Sequence, residues 1–84
     1  MKKDDYQQFV SMLGRNVKSA RLSSKLLQED VANSLGMTRV AIGYIEQGRR
    51  APKLRTLFDL ANLYGVDIQV FFDSQPREHE DESR

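Results

Sequence analysis

Three cations lie within five residues in the segment Arg49-Arg50-Ala51-Pro52-Lys53, and Lys18, Arg21 and Arg39 add positive charge upstream. Guanidinium and ammonium groups donate hydrogen bonds and accept none, so such a cluster holds anions rather than moving protons. Positions 1–72 carry 11 basic and 7 acidic residues, a net +4, whereas positions 73–84 carry 2 and 5, a net −3. The overall charge of +1 therefore hides a body that attracts polyanions at long range. Motifs suited to covalent, redox or metal chemistry are missing. The sequence has no cysteine, its single histidine, His79, lies among acidic residues, and no glycine-rich phosphate loop or metal-ligand spacing occurs. No catalytic residue, metal or cofactor is expected, and the chain reads as a binding protein rather than an enzyme.

These cations can act together only if the chain positions them. Phe9, Leu13, Val17 and Ala20 recur every three or four residues and predict a helix over about 6–22. Leu27, Val31, Ala32 and Leu35 repeat the pattern for a second helix over 28–35, ended by Gly36. Thr38 is placed to cap a third, over 38–47, with Ile42 and Ile45 inward and Gly48 as its stop. After the basic loop, Leu54, Leu57, Phe58, Ala61 and Tyr64 give a fourth helix that Gly65 closes. Segment 66–72 fits a strand by alternation, or a helix with Ile68, Phe71 and Phe72 on one face; a short helix capped by Asp67 is favoured. The expected fold is all-α, with five helices.

The second and third helices meet across a three-residue turn in which Ala32 is small, Gly36 permits the bend and Met37 plugs the gap. Turning Ile42 and Ile45 inward, at about 100° per residue, sends Val40, Gly43, Tyr44 and Gln47 to the opposite side, with Arg39 flanking the first turn. That face lacks Leu and Ile, so it reads as a surface kept for contact.

The block resembles the phage-repressor and Cro-like (XRE) helix-turn-helix DNA-binding family, over about residues 9–72. The resemblance rests on Gln28, Glu29, Asp30, Val31, Ala32, Gly36, Met37, Thr38, Ile42, Ile45, Glu46 and Gly48, followed by Arg-Arg-Ala-Pro. It implies a compact five-helix, lambda-repressor-like domain with the helix-turn-helix at helices 2 and 3, binding the DNA major groove as a two-fold dimer. It further implies base reading by Arg39, Val40 and Tyr44, where an arginine fork fits guanine and a valine meets a thymine methyl. Tyr44 serves equally as a packing residue or a phosphate ligand. Phosphate binding falls to Lys18, Gln28, Thr38, Arg49, Arg50 and Lys53, and Arg21 is the expected salt-bridge partner of Glu46. The chain departs from the family in having Lys25 where a glycine commonly ends helix 1, and Leu27 where Ser, Thr or Asn commonly caps helix 2.

With 84 residues there is room for one modest core, expected over 1–72, and no second ligand or catalytic domain. Segment 73–84 has no aliphatic or aromatic side chain and is expected to be a disordered acidic tail. No apolar run approaches the roughly 20 residues of a membrane span, and the start Met1-Lys2-Lys3-Asp4-Asp5 lacks a secretory signal, so a cytoplasmic, nucleoid-associated protein is expected. Apolar residues at the end of the body exceed what packing on helix 4 requires, and Ile68, Val70 and Phe72 are assigned to a homodimer interface, with Phe71 in the core. The function expected is a sequence-specific transcriptional regulator, more often a repressor in this family, on a palindromic operator, without a small-molecule ligand. The alternative is an antitoxin or adaptor that uses the same fold to bind a protein.

Overall fold

The computed structural model describes residues 3–74, so most of the acidic segment 73–84, with His79, lies outside the described residues. The first helix, α1, runs Lys3–Ser23. It begins earlier than expected because apolar periodicity detects only the part of a helix that meets a core. Val10, Leu13, Val17 and Ala20 form its buried stripe, while Phe9 is half-buried beside it. Its C-terminus turns through Lys25 in the left-handed region, φ 62°. A side chain there costs roughly 1–2 kcal/mol, which a glycine would not incur. Three backbone N–H groups close the turn, Ser24 shared between Ala20 O and Arg21 O, Lys25 to Leu22 O and Leu26 to Arg21 O.

Next come α2 (Gln28–Leu35) and α3 (Arg39–Glu46), joined by a left-handed Gly36 with φ 68°. Leu27 has no acceptor with which to cap α2. Asp30 compensates by reaching back, its Oδ2 accepting from Leu27 N–H at 2.9 Å. The fourth helix, α4, runs Leu54–Tyr64 and buries Leu57, Leu60, Ala61 and Tyr64. Leu54 and Phe58, which belong to the apolar repeat that predicts this helix, are 73% and 52% exposed. Helical spacing admits both readings, and the stripe through 57, 60, 61 and 64 leaves these two on its flank. No described helix is long and apolar enough to cross a membrane.

The fifth element corrects the expectation of five α-helices. Ile68–Phe72 is a 3-10 helix, η1, so four α-helices and one 3-10 helix make up the described fold, with no strand among the described residues. Five residues with Ile68 and Val70 branched at Cβ favour the tighter turn over an α-helix. Asp67 Oδ1 caps it by accepting from Gln69 N–H at 3.0 Å. Three residues per turn stack Ile68 and Phe71 on the same side, and Phe71 is fully buried while Ile68 packs half-buried on the core. Val70 is half-buried, and Phe72, 41% exposed, stacks on Phe9 with ring centroids 6.0 Å apart. Asn16, buried on α1, fastens this end of the chain: its Nδ2 donates to Phe71 O at 2.9 Å and Asp73 O at 2.7 Å.

Tyr64 meets Phe71 edge-on at 6.4 Å, and its Oη is buried with no hydrogen-bond partner among the described residues. A buried hydroxyl left unpaired costs about 1–3 kcal/mol. Tyr64→Phe is therefore expected to leave stability unchanged or raise it by about 1 kcal/mol in a urea melt; a clear loss would show that the hydroxyl is engaged. Burial pushes the Tyr64 phenol above its ordinary value near 10, the negative Glu46 pushes it the same way, and Arg21 opposes them. The folded state thus favours the neutral phenol. That contribution is full below about pH 10 and is lost as pH climbs above it, so the Phe variant should resist alkaline unfolding better than the parent.

Candidate nucleic-acid interface

The α2–α3 unit is built from its turn outward. Met37 N–H bonds to Ala32 O at 2.9 Å across the turn, and Thr38 Oγ1 accepts from Ala41 N–H at 3.1 Å to cap α3. The Thr38 hydroxyl is thereby committed as an acceptor, which leaves its own proton to donate outward. Ala41, Ile42, Ile45 and Glu46 are buried, whereas Arg39, Val40, Tyr44 and Gln47 are exposed. Gly43, expected on the outward face, is buried. A Cβ placed on it would lie 3.8 Å from the side-chain nitrogens of both Gln28 and Gln47, which flank it.

Behind this face stands an ion pair. Arg21 Nε donates to Glu46 Oε2 at 2.7 Å and Nη2 to Oε1 at 3.1 Å, while Nη1 donates to Leu26 O at 2.9 Å. Both residues are under 10% exposed. The fork therefore ties α1 to the last residue of α3 and to the turn before α2. Glu46 is not served by Arg21 alone: Gln28 Nε2 donates to Oε1 at 3.0 Å, and Arg39 Nη1 lies 3.4 Å from Gln28 Oε1.

The cations of the loop divide into two kinds. Arg49 is drawn to α3, its guanidinium 5.4 Å from the centre of the Tyr44 ring and its N–H bonded to Tyr44 O at 2.9 Å. Tyr44 and Arg49 thus form one surface unit, although sequence reasoning placed them in different roles. Arg50 and Lys53 are exposed in the loop and Lys18 is exposed on α1; among the described residues none of these three side chains is held by a neighbour. Their charges are available to an anion.

Two residues that fix α3, Gly14 and Gln7, went unread in the sequence, and Gly48, read there only as a helix stop, joins them in contact with α1. A Cβ on Gly14 would sit 2.3 Å from Ile45 O and 2.8 Å from Glu46 O, so α1 and the end of α3 touch backbone to backbone. Gly48 adopts φ 76°, and a Cβ there would meet Ser11 Cα at 2.8 Å. Gln7 Nε2 donates to Gly48 O at 2.9 Å. A glycine inside an apolar helical repeat signals a close approach, and Gly14 carried that signal. Gln7, on a polar turn, carried none.

A helix-turn-helix family model (HTH_3) matches residues 17–71, which contain α2, α3, the basic loop and the Arg21–Glu46 pair. The chain belongs to the XRE-type helix-turn-helix family. Among its relatives, the transcriptional repressor RstR of the cryptic phage CTXphi in Vibrio cholerae is 37% identical over 65 residues, covering 76% of this chain and 59% of RstR. The uncharacterised HTH-type transcriptional regulator YqaE of Bacillus subtilis is 33% identical over 67 residues, 80% of this chain and 58% of YqaE. The chain thus spans less than two thirds of the length of either relative. The solved restriction-modification controller protein C.AhdI from Aeromonas hydrophila superposes with a TM-score of 0.76 at 25% identity, covering 81% of this chain and 99% of that one. Within the XRE-type frame, α2 is the supporting helix and α3 the outward one. Lys25, standing where the resemblance led one to expect a glycine, adopts the left-handed region, φ 62°.

Proposed function

We propose that the protein is a sequence-specific DNA-binding transcriptional regulator that acts as a repressor, lays α3 in the major groove and grips a palindromic operator as a homodimer. The observation that carries this reading is the outward face of α3. Arg39, Val40 and Tyr44 are exposed on a helix whose opposite face is buried, and Arg49, Arg50 and Lys53 follow directly. In this reading Arg39 forks onto a guanine edge, Val40 meets a thymine methyl, and Tyr44 reaches the groove with Arg49 stacked against it. Lys18, Arg50, Lys53, the first turn of α2 at Gln28 and the Thr38 hydroxyl hold backbone phosphates. Phe72 with Val70, and the part of Ile68 not taken up by the core, form the two-fold contact, continued by Phe9 beneath Phe72.

Selecting bound sequences from a random DNA pool tests this directly. The expected product is a two-fold symmetric site with half-sites about 34 Å apart. Arg39→Ala should weaken the selected site by about 1–3 kcal/mol while sparing random DNA, whereas Arg50→Ala should weaken both alike and flatten the salt dependence. Equal losses for Arg39→Ala on both DNAs would remove Arg39 from base reading. A pool that enriches nothing, together with co-purification of a protein partner, would favour the adaptor alternative.

A further inference from the structure

Glu46 does more than neutralise Arg21. Its Oε1 also accepts from Gln28 Nε2 at 3.0 Å, and an ionised carboxylate has no proton to offer in return. The group facing it must be a donor, so the amide of Gln28 is held with its NH2 inward and its Oε1 outward. That outward oxygen lies 3.4 Å from Arg39 Nη1. Arg39 otherwise stands exposed in the first turn of α3, where the helix dipole does not favour a cation, and no other described residue bonds its side chain. Gly43 leaves the space beside this chain open, since a side chain there would begin 3.8 Å from Gln28 Nε2 and 3.9 Å from its Oε1.

We infer that Glu46 is a positioning residue for sequence readout: by fixing the amide orientation of Gln28 it sets the direction in which Arg39 presents its guanidinium to the DNA. The buried ion pair and the base-reading arginine are then two ends of one hydrogen-bonded line, Arg21 to Glu46 to Gln28 to Arg39. This inference rests on the reading of Arg39 as a base-contacting residue given above. Replacing Glu46 by Gln lets both amides rotate, and replacing Gln28 by Met cuts the line while leaving the Arg21–Glu46 pair in place.

The experiment is selection from a random DNA pool with the full chain and its Glu46→Gln, Gln28→Met and doubly substituted variants, each first checked for helical content and cooperative melting. The line predicts that either single change relaxes the preference at the base pair read by Arg39 by about tenfold, that Glu46→Gln leaves affinity for random DNA unaltered, and that the double variant relaxes that preference no further than either single one. A purely structural Glu46 predicts a lower Tm with the base preference intact, or losses that add, and either result overturns the inference. If Glu46→Gln does not fold, Gln28→Met carries the same test, joined by the 15N-resolved side-chain amide of Gln28 in the parent protein. Two well-separated, slowly exchanging NH2 protons support the line, and a freely rotating amide overturns it. A parent chain that enriches no sequence removes the DNA reading and this inference together. Enrichment that responds to Arg39→Ala but not to Glu46→Gln or Gln28→Met removes this inference alone.

Discussion

Arg21→Ala is expected to cost about 3–5 kcal/mol of folding stability, because it abandons a charge in the interior. With the guanidinium gone, Glu46 keeps only the single bond from Gln28, and the Leu26 carbonyl loses its donor as well. Solvent screening offers little relief, since the two side chains are 8% and 2% exposed. Domains of this size are stable by only about 5–15 kcal/mol, so the variant should be largely unfolded at modest urea concentration. Glu46→Ala should behave similarly. The double replacement Arg21→Met with Glu46→Leu is expected to recover most of the loss, because a buried ion pair repays little more than its own desolvation and apolar side chains of similar volume pack in its place. Urea melts of all these variants test the point, and a loss below about 1 kcal/mol for Arg21→Ala would show that water reaches the pair.

Gly14→Ala is expected to cost about 3 kcal/mol or more, against the roughly 1 kcal/mol that alanine gains over glycine in helix propensity. The added carbon would lie 2.3 Å from Ile45 O. A carbonyl at the end of a helix cannot rotate aside as a side chain does, so α1 and α3 must separate. Separation also pulls Glu46 away from Arg21. Gly43→Ala is the matching control: the new methyl meets only flexible glutamine side chains at 3.8 Å, so stability should rise by up to about 1 kcal/mol. Melting temperatures for the pair decide the matter, and a Gly14→Ala protein as stable as its parent would mean that the contact is looser than the structure has it.

How much of this was legible in the sequence depended on whether a residue's role was local. Gly36, Thr38 and Gly48 mark the boundaries of α2 and α3 through backbone and capping preferences that act within a few positions, and those boundaries lie within one residue of expectation. Ile42 and Ile45 were readable because a buried stripe repeats every three or four residues. Leu54 and Phe58 obey the same repeat and are nonetheless exposed, since periodicity says which residues share a side and not how wide the covering neighbour is. Asn16 holds backbone 55 and 57 residues away, and Gln7 one 41 residues away; no local preference announces such partners. The outward placement of Val40 and Tyr44 followed from the helical period, but the line from Glu46 through Gln28 to Arg39 depends on which atom of an amide points where. That is settled only when three elements meet.

The eight residues of α3 have one further consequence, for how much a single copy can know. At 1.5 Å per residue the helix is about 12 Å long, which lies alongside only three or four base pairs of a duplex rising about 3.4 Å per pair. A word of four pairs recurs by chance about once in 256 positions, so one copy would face thousands of equivalent addresses among the roughly 10⁶ or more that a genome offers. Two copies reading together square the odds, to about one in 65,000, and sequence-dependent bending of the intervening pairs narrows the choice further. On the proposed reading, a helix this short is an ambiguous instrument alone, and the proposed pairing would supply the length of text that an address requires.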